Sequence, residues 1–213
     1  MMTAESSPAR WEPTPRWERR YREVLGVAAT AFAEKGYLGA SIKDIADRLG
    51  VRQASLYYYF PSKEAALAAI CELGVKDFIG NLHDILASRV PAAEKIRAAV
   101  ANHLMPLRTR PKADYIRVFI KHRHELPDKP RHKIAALARE YQGLIERLFR
   151  EGLAAGELRD DLDPQLATLA LLGLCNSVIS AHALPRSASI DDFIEEYSRI
   201  FTTGVVPIEG RRR

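Results

Sequence analysis

Residues 52–60 read RQASLYYYF, a guanidinium, an amide, a hydroxyl and three consecutive phenols just before Pro61. In a helix of ~3.6 residues per turn, successive side chains point about 100° apart, so Tyr57, Tyr58 and Tyr59 cannot all face one core. Leu56 and Phe60 share a face; Tyr57 and Tyr59 flank it, and Tyr58 points away from it. The other side presents Arg52, Gln53, Ser55 and the tyrosine hydroxyls, all able to hydrogen-bond phosphate oxygens or base edges. For Tyr58 a base-edge contact and a solvent-exposed ring stand as alternatives.

Other chemistries find little support. Cys71 and Cys175 lie far apart with no CxxC or Cys/His spacing, which suggests neither a disulfide framework nor a zinc site. His122 and His124 are two apart on a predicted helix and point nearly opposite ways, unlike the i, i+4 pairs that grip one metal ion. No nucleophile with its base, paired-carboxylate site or phosphate loop is visible, so neither an enzyme nor a cofactor is expected. Asp163 before Pro164 is better read as a helix cap than as an acid catalyst. The formal charge of +5 and pI near 9.3 permit an anionic partner without requiring one. The absence of a signal-peptide pattern or an apolar run of ~18 residues leads to the expectation of a soluble, cytoplasmic protein with no membrane partner.

The elements that must position this face read as all-α. Residues 1–16 are rich in Pro, Ser and Glu, which suggests a flexible arm. From Trp17 apolar residues recur at spacings of three and four until Lys35-Gly36. Ser41 opens a second helix with Asp44 in a capping-box arrangement, and Gly50 closes it. The third helix carries the tyrosines and ends at Pro61; Ser62 caps a long fourth helix. Two short helices joined by a tight glycine turn point to a helix-turn-helix unit. Further helices are predicted at 92–105, 111–125, 130–154, 164–183 and 190–204, about nine in total, with no strand pattern. The expected division is an arm (1–16), a DNA-binding domain (17–63), a larger ligand-binding and dimerisation domain (64–206) and a basic tail (207–213).

The segment VAATAFAEKGYLGASIKDIADRLGVRQASLYYYFPSKEAAL, residues 27–67, resembles the TetR family of transcriptional regulators. The family shows an alanine-rich helix ending F-x-x-x-G-[YF], then a dense pattern through the I-A-x-x-[AL]-G and [LF]-Y-x-[HY]-F-x-[SN]-K signatures. Tyr59 stands where histidine is common, and Ile42 where threonine is frequent. The resemblance implies that Lys43 and Gln53 reach base edges in the major groove of double-stranded DNA, with Arg52 and Ala54 beside them. It implies phosphate contacts for Ser41, Ser55, Tyr57, Tyr59 and Lys63. Capping accounts for Ser41 without DNA, and Arg16, Arg19, Arg20 and Arg22 belong either to a DNA-touching arm or to a solvated one.

The same resemblance implies a homodimer on a palindromic operator, a small-molecule pocket, and a four-helix bundle formed by the last two helices of each copy. The penultimate helix, QLATLALLGLCNSVISAHAL, is apolar on nearly every side and needs cover on more than one face. Leu169, Leu172, Ile179, Phe193, Tyr197 and Ile200 are the expected dimerisation residues. Between Leu107 and Lys133 nine lysines and arginines face three acids, with three histidines added. A solvated basic face explains this stretch; so does an anionic-effector site, for which Arg117, Lys121, His122 and Asn176 are the candidates. KHRHELP and the later EGLAAGELRDDLDPQLATLALLGLCNSVISA are similar to regulators of lipid catabolism whose effectors are acyl-CoA thioesters. The function expected is a dimeric regulator, a repressor released by such an effector. A non-specific architectural DNA-binding protein without an effector is the alternative.

Overall fold

A computed structural model describes residues 14–110, 112–180 and 188–207; the predicted arm and tail, Pro111 and the end of the helix predicted at 164–183 lie wholly or partly outside them. Among the described residues the chain forms nine α-helices and two 3-10 turns, and no strand. In order they are α1 (Pro15–Gly39), α2 (Ile42–Leu49), α3 (Gln53–Leu56), α4 (Lys63–Ala87) and α5 (Ala92–Leu104), then a 3-10 turn (Met105–Arg108) and α6 (Lys112–His122). A second 3-10 turn (Arg123–Glu125) leads to α7 (Asp128–Ala154), α8 (Pro164–Ser180) and α9 (Ile190–Val205).

Local chemistry fixes the boundaries. Thr14 caps α1, its hydroxyl accepting from Trp17 N at 3.2 Å, and Pro15 supplies a pre-set φ in the first turn. Gly36 breaks the helix with φ 72°, so the last residues before Ala40 form a separate turn. Ser41 and Asp44 close a capping box over α2 in both directions, and Gly50 at φ 65° ends it. A Cβ at Gly50 would meet nothing within 4 Å, so the left-handed backbone, rather than lack of space, favours glycine here. Ser62 caps α4 through Ala65 N at 3.1 Å, and Asp163 caps α8 through Gln165 N and Leu166 N at 2.8 and 2.9 Å. The third helix is shorter than predicted. Only Gln53–Leu56 is α-helical, and the three tyrosines continue as turns before Phe60 donates its N–H back to Leu56 at 3.0 Å.

Two apolar clusters form the interior. The first joins Phe32 of α1, Ile45 of α2, Leu56 and Phe60 to Leu67 and Ile70 of early α4, and takes in Val118 of α6. The second surrounds later α4, with Leu82, Ile96, Leu104, Ile145 and Phe149 fully or almost fully buried. Each such side chain contributes ~1.5–3 kcal/mol of burial, which is how helices as short as α2 and α3 persist. Phe119 and Leu137 pack against both clusters, and α4 runs through both.

A polar clasp ties α1 to α6. Asp114 is fully buried, and its carboxyl accepts from Thr30 Oγ1 of α1 at 2.8 Å and from Arg117 at 3.3 Å. Arg110 reaches the same carboxyl and also donates to Glu34 of α1 at 3.0 Å. Tyr115 donates its hydroxyl to the Arg22 carbonyl at 3.2 Å. One of the helices that hold the N-terminal unit, α6, therefore lies within the basic stretch of the sequence.

Candidate nucleic-acid interface and internal cavity

On α3 and its turn, Leu56 and Phe60 are 1% exposed while Arg52, Gln53, Ala54, Ser55, Tyr57 and Tyr58 face solvent. Among the described residues, the face inferred from spacing is thus open to solvent. Gln53 Nε2 donates to the Tyr57 hydroxyl at 3.4 Å, one helical turn on, and Arg52 forms no ion pair among the described residues. Lys43 projects from α2 and pairs with Asp47 at 2.8 Å; both are mostly exposed, and a solvent-screened i, i+4 pair of this kind is little hindrance to a new contact. Lys63 at the start of α4 lies 4.5 Å from the centre of the Tyr37 ring and donates to the Leu38 carbonyl at 3.3 Å. The Ser41 hydroxyl donates to Asp44 at 2.7 Å within the capping box, so a phosphate contact there requires that proton to turn outward. Tyr59 is half-buried, with Tyr58 set edge-on at 5.2 Å and Trp17 stacked against it.

Replacing Gln53 with alanine is expected to weaken binding to the preferred site by about 1–3 kcal/mol and relax preference at one base position, whereas Tyr57→Phe weakens binding to all duplexes modestly. Equal losses on specific and random DNA from both changes, read by fluorescence anisotropy, would rule out these roles.

The second feature is a cavity of about 420 Å³ between α4, α5, α6, α7 and α8, within the ~300–1,000 Å³ range of ligand sites. Phe78, Ile116, Phe119, Leu172 and Ile179 give it apolar walls. One corner is polar. His103 Nε2 meets Asn176 Oδ1 at 3.2 Å and its Nδ1 meets the Tyr141 hydroxyl at 3.1 Å. With the amide oxygen as acceptor, Nε2 carries the imidazole proton and Tyr141 donates to Nδ1. The Asn176 amide protons then have no hydrogen-bond partner among the described residues. Phe78 stacks on His103 at 5.6 Å.

Burial pushes the His103 imidazole down to about 4, only partly opposed by its hydrogen bond to Asn176. The ring is therefore neutral near pH 7. Between the ordinary histidine value of ~6.5 and about 4, the unfolded chain binds a proton that the native chain does not. This contribution to stability is complete above that window and is lost as pH falls through it, by about 1.4 kcal/mol per pH unit. Urea titrations at a series of pH values should show the extra slope in the wild type and not in His103→Gln; parallel curves would mean the ring is not buried neutral.

Of the four effector candidates, Asn176 lines this cavity; Arg117, Lys121 and His122 do not. Arg117 turns to Asp114, Lys121 is exposed, and His122 Nδ1 meets Glu125 at 2.7 Å. Among the described residues the cation at the wall is Arg123, which lies over the Phe119 ring at 4.9 Å and donates to the carbonyls of Phe119 and Ile120. Its sequence signal was present: 116, 119, 120 and 123 fall at i, i+3, i+4 and i+7 on one face, and Arg123 continues the apolar stripe that Lys121 leaves. Among the expected dimerisation residues, Leu169 and Ile200 are about half exposed at 51% and 49%, Phe193 and Tyr197 pack partly against the second cluster, and Leu172 and Ile179 line the cavity. No group of histidine, cysteine and acidic residues able to hold a metal occurs among the described residues, and none of their helices is long and apolar enough to cross a membrane.

A helix-turn-helix with an exposed polar face, carried on a larger helical body that contains a cavity, is the architecture of a DNA-binding regulator. Residues 24–70 match the family described as bacterial regulatory proteins, tetR family, and residues 89–205 match the tetracyclin repressor-like C-terminal domain. The chain belongs to the TetR family, a family of DNA-binding transcriptional regulators rather than enzymes. It is 27% identical over 194 residues to the HTH-type transcriptional repressor KstR2 of Rhodococcus jostii (strain RHA1), covering 87% of this chain and 91% of that one. The solved structure of the TetR family regulator PfmR from Thermus thermophilus superposes with a TM-score of 0.76 at 25% identity, over 89% of this chain and 99% of that one. The fold is also shared with AibR, solved in complex with isovaleryl coenzyme A and operator DNA, at a TM-score of 0.73 and 23% identity, over 85% and 97% of the two chains.

Proposed function

We propose that this protein is a homodimeric repressor that is released from a palindromic operator by a small-molecule effector, an acyl-CoA thioester. The observation that carries the reading is the cavity: apolar walls for an acyl chain, a neutral polar corner at His103, Tyr141 and Asn176, and a cation, Arg123, at the wall. The Asn176 amide suits a thioester carbonyl, and Arg123 suits an anionic group near the mouth. A neutral His103 favours an uncharged acceptor over a bare carboxylate in that corner. The AibR complex with isovaleryl coenzyme A and operator DNA supports the same ligand class on this fold.

DNA binding is assigned to residues 17–63, with Lys43 and Gln53 at base edges, Arg52, Ala54 and Tyr58 beside them, and Ser41, Ser55, Tyr57, Tyr59 and Lys63 on phosphates. Residues 64–206 bind the effector and form the dimer. The exposed stripe of Leu166 and Leu169 on α8 and Ile200 on α9 meets its mate across a two-fold axis, which also matches a palindromic operator. Release is a population shift: a ligand that prefers one arrangement of α4 and α6 weakens DNA binding in proportion to its differential affinity. The Thr30–Asp114 clasp gives α6 a direct hold on α1 for that purpose.

The test is selection of binding sites from a random duplex library with the full chain at near-physiological salt, followed by titration of the winning duplex with CoA and acyl-CoA thioesters of several lengths. A palindrome released by an acyl-CoA is expected. A palindrome indifferent to every thioester would remove the effector class, and the absence of any enriched sequence would favour non-specific DNA binding.

A further inference from the structure

The family match begins at residue 24, yet α1 begins at Pro15, so a little over two turns of helix precede the matched domain. This extension is held in place. Trp17 stacks on Tyr21 at 4.8 Å with the rings 14° from parallel, and on Tyr59 at 6.3 Å and 29°. Tyr59 lies on the turn that follows α3, so the aromatic stack fixes the start of α1 beside the recognition element. Thr14 and Pro15 stabilise the same first turn.

The stack sorts the four arginines of the segment. Arg22 turns toward α4 and pairs with Asp77 at 3.4 Å. Arg20 is half-buried, pairs with Glu23 at 2.7 Å and reaches the Tyr59 side chain. Arg16 and Arg19 are exposed and form no ion pair among the described residues. Together with Trp17 and Tyr59, Arg16, Arg19 and Arg20 line a surface depression of about 470 Å³ in which Glu23 is the only acid among the described residues. The lining is cationic, and its aromatic rings are already stacked on one another, which leaves charge as its main means of holding a partner.

We propose that the N-terminal turns of α1 form a second phosphate-binding surface, in which Arg16 and Arg19 grip the DNA backbone alongside the stretch read by α3. Three observations support that occupant. The depression is continuous with Tyr59 and so with the proposed DNA face. Its unpaired charges are guanidiniums, whose forked donors match phosphate oxygens. The stack holds the helix bearing both arginines, so less freedom is lost on contact than from a free basic tail. Contacts of this kind carry no sequence information: they raise affinity for every duplex alike and make it more salt-dependent. The proposal rests on the DNA-binding reading above.

The experiment compares the full chain with Arg16→Ala/Arg19→Ala, Arg16→Lys/Arg19→Lys and, as an off-patch control, Arg22→Ala. Affinity for the selected operator and for random duplex is measured between roughly 50 and 200 mM salt. The alanine pair is expected to lose about tenfold or more on both duplexes, with the slope of log K against log salt shallower by about 1.8, at an unchanged unfolding midpoint. The lysine pair should retain most of the slope, and Arg22→Ala should leave it unchanged. An unaltered slope in the alanine pair, or an equal change per charge in Arg22→Ala, overturns the proposal. A loss confined to the operator overturns it too, because backbone contacts do not discriminate. Failure of the wild type to bind any duplex would instead bring down the DNA-binding reading, and this surface with it.

Discussion

Replacing Phe60 with alanine is expected to lower the unfolding free energy by about 3–5 kcal/mol, the range for emptying a buried aromatic position. Phe60 is 1% exposed and sits where the turn after α3 hands over to α4. It belongs to the same cluster as Phe32, Ile45 and Leu67, so one ring touches the packing that all of the first four helices share. The four-residue α3 has no stability of its own and cannot relax into the void while keeping Gln53 and Tyr57 aligned. Operator binding should fall even at temperatures where the fold survives. Urea unfolding at pH 7 gives the number: a midpoint shift at constant m-value is expected, and a loss below about 1 kcal/mol would show that the recognition element is anchored elsewhere.

The second large effect is at the cavity. Gly74 of α4 lines this cavity and also a smaller one of about 240 Å³ that shares Phe78, Tyr115 and Ile116 with it. A Cβ built there meets only the Tyr115 Cβ at 3.7 Å, an ordinary contact. Gly74→Leu is therefore tolerated by the backbone, and helix propensity favours it by ~0.5–1 kcal/mol. Its isobutyl group would project beside Tyr115, where the two cavities share their lining, and take room from the proposed acyl chain. The expected result is an effector affinity reduced about 100-fold, equivalent to ~2.7 kcal/mol, with DNA affinity kept. The variant would stay on its operator at effector concentrations that release the wild type. Calorimetric titration with the best thioester decides it: wild-type affinity in Gly74→Leu would place the ligand outside this cavity.

What could be read from the sequence depended on the range of the physics involved. The capping box at Ser41, the stop at Gly50, the cap at Ser62 and the opposed faces of Leu56 and Tyr58 are local rules, and the structure follows them. The α-helical part of α3 stops at Leu56, and the tyrosines follow as turns that lead to the buried Phe60 and Pro61, whose ring disfavours helix in the residue before it. The polar corner could not be found this way: His103 lies 38 residues from Tyr141 and 73 from Asn176, and no spacing links them. On α8, periodicity correctly required cover on several sides but could not say which neighbour covers which. Leu172, Asn176 and Ile179 share the face toward the cavity, whereas Leu166 and Leu169 remain open. Arg123 is legible in principle, since it falls on one helical face with Ile116, Phe119 and Ile120.

The buried carboxyl of Asp114 limits how freely the two halves of this chain can be recombined. Its donors come from both sides: Thr30 from the helix that supports the DNA-reading unit, Arg117 and Arg110 from the body. A chimera that takes residues 1–63 from a relative with an apolar side chain at position 30 would leave this interior oxygen without its only donor from α1, a mismatch of ~1–3 kcal/mol at the joint through which the halves would communicate. A working graft therefore has to carry positions 30 and 114 as a matched pair, although they lie on opposite sides of the seam.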